Sequence, residues 1–440
     1  MTPSVYISVE ESARELAAKL LLSAILAERG FTVVLGQQWL LNDNLFHLPA
    51  GFVLFKGNNA IQHHHMRVAK RAGHMVGSIE EEALMVTDEN ELRRLYDTGV
   101  AGTCDLFLAH GTALRDLLAK WFPGIATKTE VTGNPRIDFL RPEFLHDTKA
   151  EGARIRREFG RFVLFNLNYA TINSAHGDVL SYFDVCVNAK IYKPDDSTDE
   201  RLFRELVQWE YDNLGAMTAA IDWLERNATG VGIVVRPHPS ERFEVWQRAL
   251  SGRPRVRLVR GGSHLPWTMA SEIMVHTSCT TGAEAFLAGH QAVSLCPSDN
   301  ALTFGFLSNL VNPTFRTPEE ACRYVMARLD GGGASARHDD TYTQVLDHHL
   351  AARTGKLAAE RIADAIEQHL PAPSPAAAAA WSVGKGFRTQ RALHIGQAHK
   401  MVETQDDIQA SLASLQQTLR RFDGLSVTPL GRSLFCVTRS

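Results

Sequence analysis

The sequence predicts an α/β fold with two doubly wound, Rossmann-like domains that face each other across a cleft, followed by a small C-terminal α+β extension. The chain has 440 residues, which is more than one ordinary domain holds. Short apolar segments alternate with helical patterns along most of its length. The apolar segments are nearly continuous, which is typical of parallel strands covered by helices on both faces.

The first series of strands and helices predicts an N-terminal domain over residues 1–150. An amphipathic helix over 11–30 separates its first two strands. The predicted strands are 4–10, 31–36, 51–57, 74–79 and 104–111. Gly133, Pro135 and Pro142 then interrupt the pattern, which places a domain junction near residue 150.

A second series predicts a C-terminal domain over residues 151–370, with a long helix from about 199 to 227. Its predicted strands are 161–168, 230–239, 255–261, 272–278 and 291–297, and helices are expected to start near 241, 279 and 317. Because parallel sheets bind ligands at the carboxyl ends of their strands, the segments that follow these strands are the candidate site.

The Pro- and Ala-rich segment 371–381 predicts a linker, and residues 382–440 an accessory extension. In the extension, apolar residues recur along one face of a helix, at Ile408, Leu412, Leu415 and Leu419. We expect this stripe to pack on the parent fold, with a homodimer interface or contact with a membrane as alternatives.

Composition excludes several classes of protein. The net charge of −3 gives no basic field for nucleic acid. The six cysteines are scattered without CxxC spacing, which argues against a zinc module or a disulfide framework and fits a reducing cytoplasm. No secretory signal and no run of about 18 apolar residues is found. We therefore expect a cytoplasmic protein, at most peripheral on the cytoplasmic face of the inner membrane.

The corner VVRPHPSE is the first candidate site. Arg236, Pro237, His238 and Pro239 follow a buried strand directly, and the two prolines restrict the backbone. Arg236 and His238 can both donate charge-assisted hydrogen bonds to an anion. We predict that they bind a phosphate, the alternative being a rigid strand-to-helix corner.

The segment HTSCTTGAEAFLAGH, residues 276–290, is the second candidate site. It places several hydroxyl groups between a strand and a helix N-terminus, a place where unpaired N–H groups favour anions. Gly282 would permit close approach of a phosphate. The predicted binding residues are Ser278, Thr280, Thr281 and Gly282, and the alternative is a helix cap with spare hydroxyls.

Two further segments concern the N-terminal domain. SIEEEALM places three glutamates after a strand, and Glu81 or Glu82 is predicted as a general base or nucleophile, the alternative being a solvated charge run at a helix start. VTGNPRID is expected to form a tight turn. Either Asn134 or Arg136 in this turn contacts the ligand, or the turn serves only as a hinge. The adjacent histidines 63–65 diverge on a helix, so no metal site is predicted, and no cofactor is expected.

These motifs, in this order, resemble the bacterial surface carbohydrate biosynthesis proteins, a family with a GT-B-like fold. The resemblance covers roughly residues 4–330. The sequence is also similar to the Kdo (3-deoxy-manno-octulosonic acid) transferases and sialyltransferases, in which an HP motif and a hydroxyl motif hold the phosphate and ribose of CMP. His238 and Pro239 match the HP motif. The hydroxyl motif is matched by Ser278, Thr280 and Thr281. Glu81 and Glu82 match an acidic-acidic-glycine motif in which Ala83 replaces the glycine.

The resemblance implies a metal-independent glycosyltransferase of capsule or lipopolysaccharide synthesis. It would transfer a sugar from a nucleotide-activated donor, with a CMP-Kdo or CMP-sialic acid donor favoured, to a glycan or lipid-linked acceptor. A UDP-sugar 2-epimerase, a polyol-phosphate transferase and a non-catalytic assembly scaffold are the alternatives.

Overall fold

The computed structural model describes residues 2–175, 177–189, 191–331, 340–390 and 400–439. The chain divides into two compact units. The first unit contains Met1–Leu84, Leu95–Glu143 and Asp347–Ser440, and the second contains Met85–Arg94 and Phe144–Leu346.

These bounds differ from the predicted domains in several segments, and residues 144–150, predicted in the N-terminal domain, belong to the second unit. Residues 347–370 belong to the first unit, although the sequence places them in the C-terminal domain. Residues 85–94 belong to the second unit, and the described part of 382–440 belongs to the first rather than forming a separate accessory part. Contacts between segments distant in the chain define a domain, and local composition does not reveal them.

The first unit is built on an eight-stranded sheet in the order β13-β14-β2-β1-β3-β4-β5-β6. Six of its strands are parallel. The strands are β1 Ser4–Val9, β2 Thr32–Gln37, β3 Phe52–Phe55, β4 Met75–Ile79, β5 Leu106–Ala109, β6 Thr129–Val131, β13 Leu425–Gly431 and β14 Leu434–Arg439. Residues on β1 and β2 are buried without alternation, as expected for strands covered on both faces.

Helices cover this sheet, and α1 is the most deeply buried of them. Every residue from Leu20 to Ala27 in α1 is buried, so this helix is covered around its whole circumference there, and the one polar residue, Ser23, donates its hydroxyl to the Lys19 carbonyl oxygen. The helices are α1 Ser12–Glu28, α2 Gln38–Asp43, α3 Ala60–Arg71, α5 Val100–Thr103, α6 Thr112–Trp121, α7 Pro135–Asp138, α18 Ala358–Glu367, α19 Pro375–Ala379 and α20 Gln405–Leu419.

The C-terminal extension completes the first unit. The hairpin β13–β14 joins the sheet antiparallel to β2. The stripe on α20 packs against α1 and β13, and Ile408, Leu412 and Leu415 are buried there. The predicted packing on the parent fold is therefore observed, and the apolar face of this helix is covered.

The VTGNPRID segment anchors the returning chain. The Asp138 carboxylate accepts hydrogen bonds from the backbone N–H groups of Ala358 and Ala359, at 2.9 and 3.0 Å, at the start of α18. Gly133 has φ of 84°, and a Cβ there would lie 2.7 Å from the Ala351 carbonyl oxygen. The turn and its aspartate thus hold residues 351–367 against the first unit.

The second unit contains a six-stranded parallel sheet in the order β12-β11-β10-β7-β8-β9. Its strands are β7 Phe162–Asn166, β8 Gly232–Arg236, β9 Val256–Leu258, β10 Ile273–His276, β11 Ala292–Leu295 and β12 Thr314–Phe315. The predicted strands of this half are all present, shortened at their ends, while the two-residue β12 was not predicted.

The helices of the second unit are α4 Glu89–Arg94, α8 His146–Phe159, α9 Val179–Asn188, α10 Ser197–Asn227, α11 Phe243–Ala249, α12 Leu265–Ala270, α13 Thr280–Leu287, α14 Ala301–Phe304, α15 Leu307–Leu310 and α16 Pro318–Leu329. Helix α17, Asp340–His349, spans the boundary between the units. No helix in the described part of the chain is long and apolar enough to cross a bilayer. The predicted α/β class with parallel sheets is confirmed.

A test of the extension uses Gly36 on β2. A Cβ at Gly36 would lie 2.2 Å from the Ser433 carbonyl oxygen in the β13–β14 turn. We expect Gly36→Ala to lower the free energy of unfolding by about 1–3 kcal/mol, since the backbone must shift to accommodate the methyl group. Urea unfolding measures this. The control is Gly102→Ala in α5, where an added Cβ would lie within 4 Å of no described atom outside its chain neighbours and its own helix backbone. Equal stability of Gly36→Ala and wild type would contradict the packing of β14 on β2.

Candidate functional site

In the second unit, three neighbouring strands end in polar residues at the same edge of the sheet. The register pairs His276 of β10 with Asn166 of β7, and Asn166 with Arg236 of β8. Because neighbouring strands are about 4.8 Å apart, His276 and Arg236 are separated by roughly 10 Å. The two motifs, forty residues apart in sequence, therefore start from the same short stretch of the sheet edge.

Arg236 lies buried, and no carboxylate of the described residues pairs with it. Its Nη2 donates to the carbonyl oxygens of Gly261 and Gly262, at 2.9 and 3.0 Å, and its Cζ lies 5.3 Å from the Trp267 ring centroid. Its Nη1 is buried with no hydrogen-bond partner among the described residues. Burial lowers the pKa of Arg236 to about 10, and the group still carries its charge at neutral pH. An anion is the ligand that such a guanidinium lacks.

His238 is held by the backbone and partly exposed. Its Nδ1 accepts a hydrogen bond from the Ser240 N–H at 3.2 Å. Since Nδ1 acts as acceptor, the neutral ring carries its proton on Nε2 and can donate from there. Pro239 beside it is exposed.

Glu241, which was not among the residues predicted from the sequence, organises this corner. Its buried carboxylate accepts hydrogen bonds from the backbone N–H groups of His238 (2.9 Å) and Tyr169 (3.2 Å). It also accepts from Trp246 Nε1 at 2.7 Å and Asn173 Nδ2 at 3.3 Å. One carboxylate thus joins the loop after β7 to the loop after β8. The feature of the sequence that could have indicated Glu241 is its position three residues after His238.

Tyr169 connects the corner to the hydroxyl-rich segment. Its backbone is bound by Glu241, and its hydroxyl receives a hydrogen bond from Thr277 Oγ1 at 3.4 Å. The structure therefore brings the HP corner and the strand end before Ser278 into one hydrogen-bonded group.

The hydroxyl segment separates into buried and accessible parts. Ser278 is fully buried, has φ of 46°, and its Oγ accepts from Asn309 Nδ2 at 2.7 Å. Thr280 and Thr281, in the first turn of α13, are partly exposed. Cys279, the N-cap residue, makes no capping hydrogen bond to the helix backbone, and its Sγ accepts one from the Thr281 hydroxyl at 3.2 Å. The two threonines and the helix N-terminus, rather than the Ser278 hydroxyl, are therefore the accessible groups.

Gly282 is required by packing inside the protein. A Cβ at this position would lie 2.2 Å from Nε2 of the buried His276 ring. The close approach that the sequence analysis expected from a phosphate is thus made by an imidazole. Burial lowers the pKa of His276 to about 3, so the ring is neutral.

In the first unit, the glutamates after β4 lie among cations. Lys56, directly after β3, forms ion pairs with Glu82 and Glu10, and its Nζ lies 3.7 Å from the Glu15 carboxylate. Arg14 pairs with Glu82 at 3.0 Å and with Glu15 at 2.8 Å. Neither cation was identified from the sequence, because Lys56 follows β3 and Arg14 lies in the first turn of α1, both distant in the chain from the glutamates after β4.

Glu82 is ionised, and its carboxylate is paired with Lys56 and Arg14. Burial would raise the pKa of Glu82, but the charges of Lys56 and Arg14 outweigh it and lower the pKa to about 2. A carboxylate with so low a pKa is a weak proton acceptor, although its charge remains available for electrostatic stabilisation.

Glu81 differs from its neighbour. Its side chain is 3% exposed, and its Oε2 has no hydrogen-bond partner within the described part of the chain, with Arg136 Nη1 at 3.8 Å. Burial raises the pKa of Glu81, although Lys19 and Arg136 oppose the shift. Asn134 Nδ2 lies 3.4 Å from the Glu80 carbonyl oxygen, so the GNPR turn supports the glutamate segment. The structure thus brings together Glu81, Asn134 and Arg136.

Glu80 is a third carboxylate at this strand end, and it was not among the predicted site residues. It accepts hydrogen bonds from the N–H groups of Glu82 (2.9 Å) and Ala83 (3.3 Å) and from Asn58 Nδ2 (3.3 Å). Burial, with the negative charge of Glu82, raises the pKa of Glu80 to about 7. Its hydrogen bonds hold the backbone of the segment that carries Glu81.

Each unit is therefore a Rossmann-like α/β domain of the GT-B type with polar groups at its strand ends. A protein assigned as a UDP-N-acetylglucosamine 2-epimerase from Listeria monocytogenes is similar, with a TM-score of 0.50 and 15% identity over 85% of this chain and 99% of that one. The wall teichoic acid polymerase TagF is similar with a TM-score of 0.50 and 8% identity over 84% and 90%. At these levels of identity the similarity is one of fold alone. No model of a protein family and no curated protein matches the sequence.

The raised pKa of Glu80 predicts a pH dependence of stability. The unfolded carboxyl loses its proton near pH 4.5, whereas the folded one keeps it to about pH 7. Stability is therefore lost as pH rises from about 4.5 to about 7, and this group alone accounts for about 3 kcal/mol. Urea unfolding at pH 4.5 and pH 8 should show a smaller loss in Glu80→Gln than in wild type. An identical loss in both proteins would contradict the assignment.

Proposed function

We propose that the protein is a nucleotide-sugar enzyme of bacterial surface polysaccharide synthesis, namely a glycosyltransferase that uses a glycan or lipid-linked acceptor. The observation that carries the proposal is Arg236: a buried guanidinium at the carboxyl end of a parallel sheet, with Nη1 unpartnered and no carboxylate paired with it in the described chain. A polar group left in this state costs about 1–3 kcal/mol, which a bound phosphate offsets. The names of the two similar structures, an epimerase acting on a UDP-sugar and a teichoic acid polymerase, agree with this class.

The second unit binds the donor in this proposal. Arg236 Nη1 and the Nε2–H of His238 donate to the donor phosphate, and the N-terminus of α13 adds positive potential. Pro239 keeps the corner rigid, and the threonine hydroxyls reach the ribose. Ser278 and Gly282 act beneath them by supporting the start of α13. The residues so assigned are Arg236, His238, Pro239, Ser278, Thr280, Thr281 and Gly282.

Transfer forms a bond between the acceptor oxygen and the anomeric carbon as the bond from that carbon to the phosphate oxygen breaks. The electron pair of the broken bond stays on the phosphate, whose growing negative charge Arg236 and His238 stabilise. The acceptor proton passes to Glu81, because burial raises the pKa of this carboxyl and so makes its carboxylate a better proton acceptor. Glu82 contributes its charge, and Asn134 positions the segment.

The donor nucleotide is the finer part of the proposal. A CMP-activated acidic sugar, of the Kdo or sialic acid type, is the donor that the HP and hydroxyl motifs favour. A UDP-sugar would instead support the epimerase, which turns over its substrate without an acceptor. A scaffold would bind nucleotide or glycan and show no turnover.

Nucleotide binding tests the second unit. In calorimetric titrations with CMP, UMP, CDP and UDP we expect one to bind selectively, and Arg236→Met or His238→Ala to weaken binding roughly 10- to 100-fold, as loss of a charge-assisted hydrogen bond does. The control is Arg257→Met, which removes an exposed arginine stacked 4.9 Å from the Phe159 centroid in the same unit. Binding of none of the four nucleotides, or equal loss in the control, would count against the donor site.

Turnover tests the first unit separately. We expect Glu81→Gln to reduce the transfer rate by a factor of about 10²–10⁴, which is the usual contribution of a general base. The affinity for nucleotide should be unchanged. Glu82→Gln should cost less, since that carboxylate acts only through its charge. Full activity in Glu81→Gln together with loss in Glu82→Gln would assign the base to Glu82 instead.

A further inference from the structure

Glu15, in the first turn of α1, is a fully buried carboxylate with a side chain that is 0% exposed. Its Oε2 accepts hydrogen bonds from Lys19 Nζ at 2.6 Å and from the Glu10 N–H at 3.1 Å. Its Oε1 accepts from Arg14 Nη2 at 2.8 Å, and Lys56 Nζ lies 3.7 Å away. Both oxygens are therefore satisfied, and three cations surround one negative charge.

The cations around Glu15 connect several elements of the first unit. Lys19 lies one turn further along α1 and also donates to the Ser8 carbonyl oxygen in β1 at 2.6 Å. Lys56 directly follows β3 and forms an ion pair with Glu82 after β4. Through these partners, the carboxylate of Glu15 ties α1, β1 and β3 to the segment that carries the glutamates.

The charge of Glu15 acts on the proposed base. Burial would raise the pKa of Glu15, but the neighbouring cations, of which Lys19 acts most strongly, outweigh burial and hold the pKa below its usual range. Burial also raises the pKa of Glu81, which Lys19 and Arg136 lower and which Glu15 raises further. Glu15 and Lys19 therefore act on Glu81 in opposite directions, as their opposite charges require.

Other charged and titratable groups lie on the elements around Glu81. They are Arg14, Glu15 and Lys19 on α1, Arg136 and Asp138 on α7, Glu10 after β1, Lys56 after β3, Glu80 and Glu82 after β4, His110 after β5, and Lys400, which pairs with Glu10 at 2.6 Å. Among these described groups, Glu15 is the acid with three cations within 4 Å. Its removal would release more positive charge than removal of Glu10 or Glu82, each of which pairs with two.

We propose that Glu15 is a positioning residue, whose carboxylate fixes the cations that act on the base Glu81. The inference rests on the proposed function, because Glu81 acts as a base only if transfer takes place there. Since its side chain is fully buried, Glu15 acts through Lys19, Arg14 and Lys56 and does not touch substrate.

A direct test of this role needs no turnover. Carbon NMR of protein labelled at the glutamate carboxyl groups follows each titration, and the signal missing from Glu81→Gln is that of Glu81. We expect this signal to titrate at lower pH in Glu15→Gln than in wild type, because a buried negative charge is lost beside it. Lys19→Met should move the titration to higher pH, because a cation is lost. The control is Glu28→Gln at the other end of α1, about 20 Å away, which should leave it unchanged.

The pH dependence of transfer gives a second readout. The rate rises with pH as the base ionises, so this acidic limb should shift to lower pH in Glu15→Gln and to higher pH in Lys19→Met. Glu15→Gln should also lower the limiting rate roughly 3- to 10-fold, since a weaker base removes the proton more slowly, and leave the affinity for nucleotide unchanged.

Opposite shifts separate positioning from a general loss of structure, which would not change sign between the two variants. The inference is overturned if Glu81 titrates alike in wild type, Glu15→Gln and Lys19→Met, if both variants move it in one direction, or if Glu28→Gln moves it as far. Should Glu15→Gln not fold, the direction of the Lys19→Met shift decides. Opposite shifts in a protein that transfers no sugar would support the role of Glu15 and refute the proposed transferase instead.

Discussion

The Glu241 carboxylate is the constraint on which the polar edge of the second unit depends. It accepts N–H groups from the loops after two adjacent strands and from the indole of Trp246. A buried carboxylate is stable only when its oxygens are satisfied, and here one of the donors is the backbone N–H of His238, which is proposed to hold a ligand. The orientation of His238 therefore follows from a residue that need not touch any ligand itself.

The first unit uses burial and charge differently. Lys56 and Arg14 hold Glu82 ionised, while Glu80 and Glu81, in the same short segment, have raised pKa values because burial dominates there. Consecutive glutamates thus acquire distinct chemistry from distinct surroundings. This difference makes Glu81 the proposed base, and it leaves Glu82 as a fixed negative charge.

Many of the site's parts were predictable because the signals are local. Arg236 and His238 follow an apolar run directly, and the threonines stand at a strand-to-helix junction, so their positions at a sheet edge follow from the fold class. The supporting groups were not predictable in this way. Lys56 meets Glu82 across neighbouring strands, and Gly282 serves a histidine six residues earlier by packing rather than by turn geometry.

The sequence by itself determined the α/β class, two series of parallel strands and the polar segments at their ends, because strand and helix periodicity is a property of neighbouring residues. Only the tertiary structure decided which unit each segment joins. The Asp138 carboxylate binds the start of α18 some 220 residues later, and β14 pairs with β2 across most of the chain. Such pairings depend on the free energy of packing and hydrogen bonding between distant segments, and no local pattern encodes the partner.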